Sequence, residues 1–365
     1  MAKKGIFIGA TGQNVGKTTL CLGLIALLQK RYSKIGFIKP VGQRHVLTSS
    51  GNPVDKDVVL FKEHFNLPER YQDMSPVLFP KGFTREYLDG HHEKEDFLSK
   101  IQQAYSKIAE KKDYTIVEGT GHIGVGSIAD LNNAQVAKAL GLDVILISTG
   151  GIGKAFDELA LNRMILEAHG VRIKGVILNR VLIEKKEMVE TYMTKALARW
   201  KIPLIGCVPF NKFLSSSSMN DFERLFNAKL LNGFEHRFHH FEKTHFVSTS
   251  AKSFEEHIQS NQLIITSSTR EDVVEALIEK KKKLKSKNLN FEVGLILTGK
   301  LPPKDSLFKK IHQTDIPLLY TPIDNFEAMQ MITSHISKIL NEDKDKVNQA
   351  ISLIKNNINL DLLCE

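Results

Sequence analysis

Short, largely apolar runs recur along the first 210 residues, at 6–8, 35–38, 114–117, 144–147, 176–178 and 204–208, each closed by glycine, proline or a polar residue. Runs this short and this continuous predict strands buried on both faces. Helical segments separate most of them, the pattern of a parallel sheet covered on both sides. Residues 18–31 are apolar on nearly every side (Leu20, Leu22, Leu24, Ile25, Leu27, Leu28), which predicts a helix packed on the sheet with one face and on something else with another. Sheets of this kind bind ligands beyond the carboxyl ends of their strands, so the unusual residues that close the runs are expected on one edge.

The stretch Gly9-Ala10-Thr11-Gly12-Gln13-Asn14-Val15-Gly16-Lys17-Thr18-Thr19 joins the first strand to that helix. Strand, glycine-rich turn and helix in this order form a phosphate-binding loop. Backbone N–H groups converge on one point, and the helix N-terminus adds partial positive charge there. Lys17 is then expected to neutralise the β- and γ-phosphates, and the Thr18 hydroxyl to join the shell of a bound Mg²⁺. A strict motif has glycine at position 11; this chain has Thr11, flanked by Gly9 and Gly12. Nucleotide binding by residues 11–19 is the firm expectation, as is a P-loop NTPase-type, doubly wound α/β domain.

Three other strand ends carry charge. Lys39 follows the second run and precedes Pro40, which keeps its ammonium at the strand tip rather than in a helix; the alternative is a plain exposed lysine. Glu118 closes the third run, where a P-loop protein needs a carboxylate for Mg²⁺, although a helix cap would also use it. Asp55 and Asp57 precede the apolar residues Val58, Val59, Leu60 and Phe61; for Asp57, metal ligation and helix capping both stand.

Composition narrows the setting. A chain of 365 residues holds about two domains, and 42% hydrophobic with 25% charged residues is ordinary globular usage. Lys3 and Lys4 precede too few apolar residues for a signal peptide, no stretch suits a membrane span, and Cys21, Cys207 and Cys364 are scattered; a cytoplasmic protein with reduced thiols is expected. The net charge of +9 owes much to the run Lys280-Lys281-Lys282-Lys283-Leu284-Lys285-Ser286-Lys287. It ends a predicted helix and has no interleaved aromatic residues, so a solvated helix end is favoured over a nucleic-acid site.

Beyond the sixth run, residues 213–218 read as a linker, with Ser218 and Asp221 as a capping pair for the next helix. Apolar runs at 263–266, 291–297 and 316–319, with helical patterns at 325–340 and 344–356, predict a second, smaller α/β domain over 219–365. Thr269-Arg270 at a helix start suits either an anion site or a simple cap. His236, His239, His240 and His245 lack a completing cysteine or carboxylate, so a structural role is favoured over a metal, with His236 and His240 spaced as on a helix. His122 suits either a phosphate or acyl contact or a turn cap.

These residues resemble the dethiobiotin synthetase family, ATP-dependent ligases that carboxylate a diamine and close a ureido ring. The resemblance spans residues 5–212. It rests on the Val-Gly-Lys-Thr loop, Gly36-Phe37-Ile38-Lys39-Pro40-Val41, Asp57, Val117-Glu118-Gly119-Thr120-Gly121, Asn179 and Pro203-Leu204-Ile205-Gly206-Cys207-Val208-Pro209. It implies ATP with Mg²⁺ as cofactors, phosphate contacts from Lys17 and Thr18, and a metal shell of Thr18, Asp57 and Glu118. Lys39 would face a small carboxylate, with Lys17 and Lys39 as the catalytic pair, and Asn179 and the loop after Pro209 would hold adenine. Gly12, Gln13 and Asn14 depart from the family loop, and Gln43 and the 121–127 segment depart at the diamine site, so biotin synthesis is not expected.

The second domain resembles the DRTGG domain, and the whole chain resembles the N-terminal part of long bacterial phosphotransacetylases, with Thr269 and Lys300 departing from the signature. The expected division is 1–212, a 213–218 linker and 219–365, without an acetyltransferase module. The functional expectation is a regulatory Mg-ATP-binding protein of acetyl-phosphate or related carbon metabolism. The alternative is an ATP-dependent C–N ligase of the dethiobiotin or cobyrinate synthetase type. Both resemblances imply a homo-oligomer, whereas composition is what argues against a membrane partner and disfavours a nucleic-acid one.

Overall fold

The structure, a computed structural model, describes residues 4–43, 45–48, 51–91 and 94–364. Lys3 and the outermost ends of the expected domains, residues 1–3 and Glu365, lie outside the described residues.

Six strands form the first sheet: β1 (Lys4–Ala10), β2 (Ile35–Ile38), β3 (Tyr114–Glu118), β4 (Val144–Thr149), β5 (Ile173–Val181) and β6 (Leu204–Pro209). Their order is β6-β5-β4-β1-β3-β2, and every neighbouring pair is parallel. From β1 the chain crosses to the edge strand β2, returns to β3 beside β1, and then passes to β1's other side with β4. The tip of β1 is therefore the point where the winding reverses, the position such sheets use for ligands. β5 is longer than the apolar run that predicted it, because pairing with β4 and β6 extends the ladder past the apolar residues.

Helix α1 (Lys17–Leu28) leaves the glycine-rich loop, and Leu20 through Leu28 are all buried. Its second covering is α9 (Lys344–Lys355), from the far end of the chain. A Cβ placed on Gly23 would lie 2.1 Å from the Cβ of Ile354, so glycine is what lets the two helices approach. Farther on, Gly206 of β6 bridges Ile358, and Asn359 N–H donates to the Ile205 carbonyl at 2.9 Å, closing the free edge of the sheet.

The chain thus forms two compact units that differ from the expected division. One comprises the chain up to Asn211 together with the segment from Ile339 onward, and the other is Lys212–Lys338. The C-terminal segment, expected with the second domain, belongs to the first. The helix expected at 325–340 is Asn325–Ser334 and ends where His335 turns extended. The apolar face of α9 matches α1 rather than the second sheet, a pairing of distant segments that periodicity cannot assign.

The second unit has five strands: β7 (Leu230–Asn232), β8 (Lys243–Phe246), β9 (Gln262–Ser267), β10 (Val293–Thr298) and β11 (Leu318–Thr321). Their order is β7-β11-β10-β9-β8, parallel except for β7 against β11. Helix α7 (Met219–Phe226) begins with the expected box: Ser218 Oγ accepts from Asp221 N, and the Asp221 carboxylate accepts from Ser218 N. The stretch read as a linker is ordered in part, with a helical turn at Lys212–Ser215 and Ser216 Oγ donating to the Phe213 carbonyl at 2.7 Å. Among the described residues no helix is long and apolar enough to cross a membrane.

Gly23→Ala is expected to destabilise the first unit by about 1–3 kcal/mol, since the added methyl group has no room. The chain's one tryptophan, Trp200, stacks on Phe156 at 4.2 Å within the first unit, so its fluorescence during urea unfolding measures the loss. Ile354→Gly removes the Cβ that the new methyl group meets, so its loss and that of Gly23→Ala are expected to combine less than additively.

Candidate functional site

The glycine-rich loop is shaped by two left-handed residues, Asn14 at φ +56° and Gly16 at φ +98°. A Cβ on Gly16 would come within 2.2 Å of the Asn179 amide nitrogen, so only glycine fits. Asn179, buried at the end of β5, donates from Nδ2 to the Val15 carbonyl at 2.7 Å and accepts from Arg180 N at 2.9 Å. The residue expected at adenine is thus a brace behind the loop. Phe210 N–H donates to the Val181 carbonyl at 2.7 Å, which brings the chain after Pro209 alongside this brace.

Thr11 explains how the loop departs from the strict motif. Its N–H donates to the Ile147 carbonyl at 2.8 Å, continuing the pairing of β1 with β4. Its hydroxyl lies 3.3 Å from Ser148 Oγ and 3.2 Å from Glu158 Oε2, away from the crown of the loop. Gln13 and Asn14 are exposed at that crown. Thr11 therefore anchors the loop rather than facing a ligand.

At the carboxyl edge, three elements deliver charge to one point. Lys39, Asp55, Asp57 and Glu118 are 7%, 2%, 8% and 1% exposed. Lys39 Nζ donates to Asp57, lies 3.2 Å from Asp55 Oδ1 and lies 3.6 Å from Glu118 Oε1. Lys39 is therefore a buried site residue, not an exposed lysine. Asp55 caps helix α2 (Lys56–His64) by accepting from Asp57 N at 2.9 Å, which fixes Asp57 in its first turn. Burial alone would lower the Lys39 pKa, but Asp57, Glu118 and Asp55 outweigh it and hold the ammonium above its ordinary value.

Lys17 and Thr18 enter the same space from the start of α1. Thr18 Oγ1 donates to Glu118 Oε1 at 3.1 Å, and Lys17 Nζ donates to the Gly121 carbonyl at 2.6 Å. Burial pushes the Lys17 pKa down to about 8, against the pull of the Glu118 charge. Burial also raises the Glu118 pKa; Lys39 works against that rise, and Asp57 adds to it. The buried Glu118 Oε2 has no hydrogen-bond partner. A carboxylate oxygen without a donor, beside a threonine hydroxyl and a second carboxylate, suits a hard cation such as Mg²⁺. Among the described residues no three carboxylate, imidazole or thiolate groups form a ready metal cage, because the Lys39 ammonium stands where these carboxylates converge.

Two further asparagines, missed in the sequence, hold the surrounding loops. Asn133, in helix α3 (Asn133–Ala139), donates to the Thr120 and His122 carbonyls, each at 2.7 Å, and accepts from Thr120 N at 3.1 Å. Asn162, in helix α4 (Gly153–Ala168), accepts from Ile123 N at 3.0 Å and donates to the Thr11 carbonyl at 3.4 Å. The one sequence signal for either is a polar residue on an otherwise apolar helix face. Exposed His122 accepts from Gly124 N at 3.1 Å, closing its own turn.

In the second unit, Arg270 precedes helix α8 (Glu271–Lys285) and is engaged by Asp272, with contacts of 2.8 and 2.9 Å, and by the Thr249 carbonyl at 2.9 Å. The lysine run is partly tied down: Lys280 donates to the Ile258 carbonyl at 2.9 Å, and Lys281 pairs with Asp315 at 2.5 Å. The histidines have separate partners. His239 meets Asn261 at 3.0 Å, His240 meets Ser216 at 3.1 Å, and His245 lies edge-on to Phe254. His236 belongs to a short 3₁₀ turn (Phe234–His236), so it and His240 do not share the helix their spacing suggested.

Against known proteins, the AAA domain family matches residues 4–218 and the DRTGG domain matches residues 221–335. The phosphate acetyltransferase of Nitratidesulfovibrio vulgaris (strain Hildenborough) is 23% identical over 365 residues, covering 97% of this chain and 50% of the relative. The chain thus spans about half the length of such relatives. The ATP-dependent dethiobiotin synthetase BioD of Bacillus subtilis (strain 168) is 28% identical over 207 residues, covering 56% of this chain and 87% of that protein. Among solved structures, the MinD cell division protein of Aquifex aeolicus is 17% identical, covers 58% of this chain and 84% of that one, and gives a TM-score of 0.36.

Because folding lowers the Lys17 pKa from 10.5 to about 8, the folded chain carries less charge than the unfolded one between those values. Its burial costs stability most below about pH 8, and that cost shrinks as pH rises through the window. Nucleotide affinity should move the other way, falling between pH 7 and pH 9.5 as the ammonium is lost. Calorimetry in buffers of different ionisation heat is expected to show proton uptake on ATP binding near pH 8.5, absent in Lys17→Met.

Proposed function

The chain belongs to the AAA domain family, and from that premise we propose that it binds ATP with Mg²⁺ at the carboxyl edge of the first sheet. The carrying observation is the meeting of Lys17, Thr18 and a half-unsatisfied Glu118 beside the Gly16 turn. The amides of the turn and the Lys17 ammonium would receive the phosphates. Thr18, Asp57 and Glu118 would hold Mg²⁺, which supplies charge neutralisation at the phosphates when bound. Adenine would lie along the chain after Pro209, beside the Asn179 brace.

In our reading the protein is regulatory, tied to acetyl-phosphate or related carbon metabolism, with nucleotide occupancy of the first unit sensed through the DRTGG unit. Similarity across nearly the whole chain to the first half of phosphate acetyltransferases supports this. A homo-oligomer fits the same reading. A second reading, an ATP-dependent ligase, draws on Lys39: its ammonium pairs with Asp57 beside Glu118 and could orient a substrate carboxylate for phosphorylation.

The first test is calorimetry with ATP and Mg²⁺. Wild type is expected to bind, and Lys17→Ala and Thr18→Ala are each expected to weaken binding by about tenfold or more, through loss of a phosphate or metal contact. Absence of any nucleotide binding by folded wild type defeats the proposal. ADP release is then measured with a panel of small acids and amines. The regulatory reading expects no stimulation. Turnover driven by one acid–amine pair and lost in Lys39→Ala would establish the ligase instead.

A further inference from the structure

The centre of the site is crowded in an unusual way. One ammonium faces three carboxylates, all nine-tenths buried or more. A hard cation of Mg²⁺ type takes oxygen ligands at about 2.1 Å. A metal held by Asp57 and Glu118 would therefore compete with Lys39 Nζ for the Asp57 carboxylate and lie within a few ångströms of it, where two positive charges repel. Asp55 is differently committed: its Oδ1 caps α2, and it lies on the Lys39 side of the cluster, 3.2 Å from Nζ.

Resting on the Mg-nucleotide reading above, we propose that Lys39 is an exchangeable internal cation. In the nucleotide-free protein its ammonium holds the Asp57 carboxylate that the divalent cation would take, and arrival of the metal transfers it to Asp55. Three features support this. Three carboxylates outnumber the two ammonium groups beside them, Lys39 and Lys17, so the cluster retains negative charge to attract a divalent ion. The Glu118 oxygen without a donor remains unused by Lys39 and Thr18, which both sit on Oε1. The flexible lysine stem allows the ammonium to shift toward Asp55 while the capped Asp55 stays still. A third carboxylate that neither Thr18 nor Glu118 contacts then has a purpose: it keeps the displaced ammonium inside the site, where it can meet an incoming anion.

The experiment uses the full-length, nucleotide-free protein with Mn²⁺ alone as probe, free Mn²⁺ being read by electron paramagnetic resonance. Lys39→Gln removes the competing charge while keeping donors for the carboxylates. It is expected to bind Mn²⁺ about tenfold tighter than wild type, or more, as expected when a like charge leaves a buried site. Equal or weaker binding overturns the exchange. If Lys39→Gln folds only when metal is supplied, the Mn²⁺ concentration that restores its circular dichroism gives the same affinity.

Asp55→Asn keeps the helix cap but loses the charge. It is expected to weaken Mn²⁺ several-fold in wild type, yet to change it by less than about twofold in the Lys39→Gln background. Equal weakening in both backgrounds removes Asp55 from the exchange. None of these measurements needs nucleotide. A protein that binds Mg-ATP but shows no gain in Lys39→Gln therefore loses only this inference, whereas a gain without ATP binding loses only the function proposed above.

Discussion

A carboxylate at the tip of a buried parallel strand must be compensated, and Glu118 is that carboxylate. Strand register determines what can compensate it. Ile8 of β1 is level with Glu118, and Ile38 of β2 is level with Val117. The residue after Ile38 is Lys39, which therefore emerges level with Glu118 on one side. The chain after Ala10 of β1 turns through the loop to bring Thr18 and Lys17 from the other. An unpaired buried charge costs several kcal/mol, so this juxtaposition constrains both neighbours of β3. The short stretch between β2 and α2 must then return Asp55 and Asp57 to Lys39, which the Asp55 cap accomplishes.

The loops around this charge are held by amides rather than by more charge. Asn179 pins the Val15 carbonyl, Asn162 joins Thr11 to Ile123, and Asn133 fastens Thr120 and His122. An asparagine offers both donors and an acceptor, so one side chain satisfies two or three backbone groups that a buried loop would leave open. It does so without adding to a field already dense with carboxylates. This division of labour leaves the backbone amides of the glycine-rich turn available to an anion.

Much of this was legible in the chain. The apolar runs located the strands of the first sheet and three of the parallel strands of the second, because a strand buried on both faces needs consecutive apolar residues. The loop from Gly9 to Thr19, with Lys39 and Glu118, read as the material of one edge because each follows an apolar run, while Asp57 was marked by its place before the apolar residues of a helix. Less was legible where pairing partners lie far apart. The apolar character of α1 announced a second covering but could not name α9. Asp55 was named only beside Asp57, and the loop-holding roles of Asn133 and Asn162 were not read, since their partners come from segments distant along the chain.

The amino-acid sequence by itself determined the local units: buried strands, the turn that only Gly16 can make, and the Ser218 box. These depend on neighbouring residues, whose sterics and hydrogen-bonding capacity are written in consecutive positions. The tertiary structure alone decided that residues 339–364 close the first unit, that Asn179 braces the loop, and that Lys39 lies among three carboxylates. Those outcomes depend on which buried groups must satisfy one another once water is excluded, and that pairing exists only when the sheet has assembled.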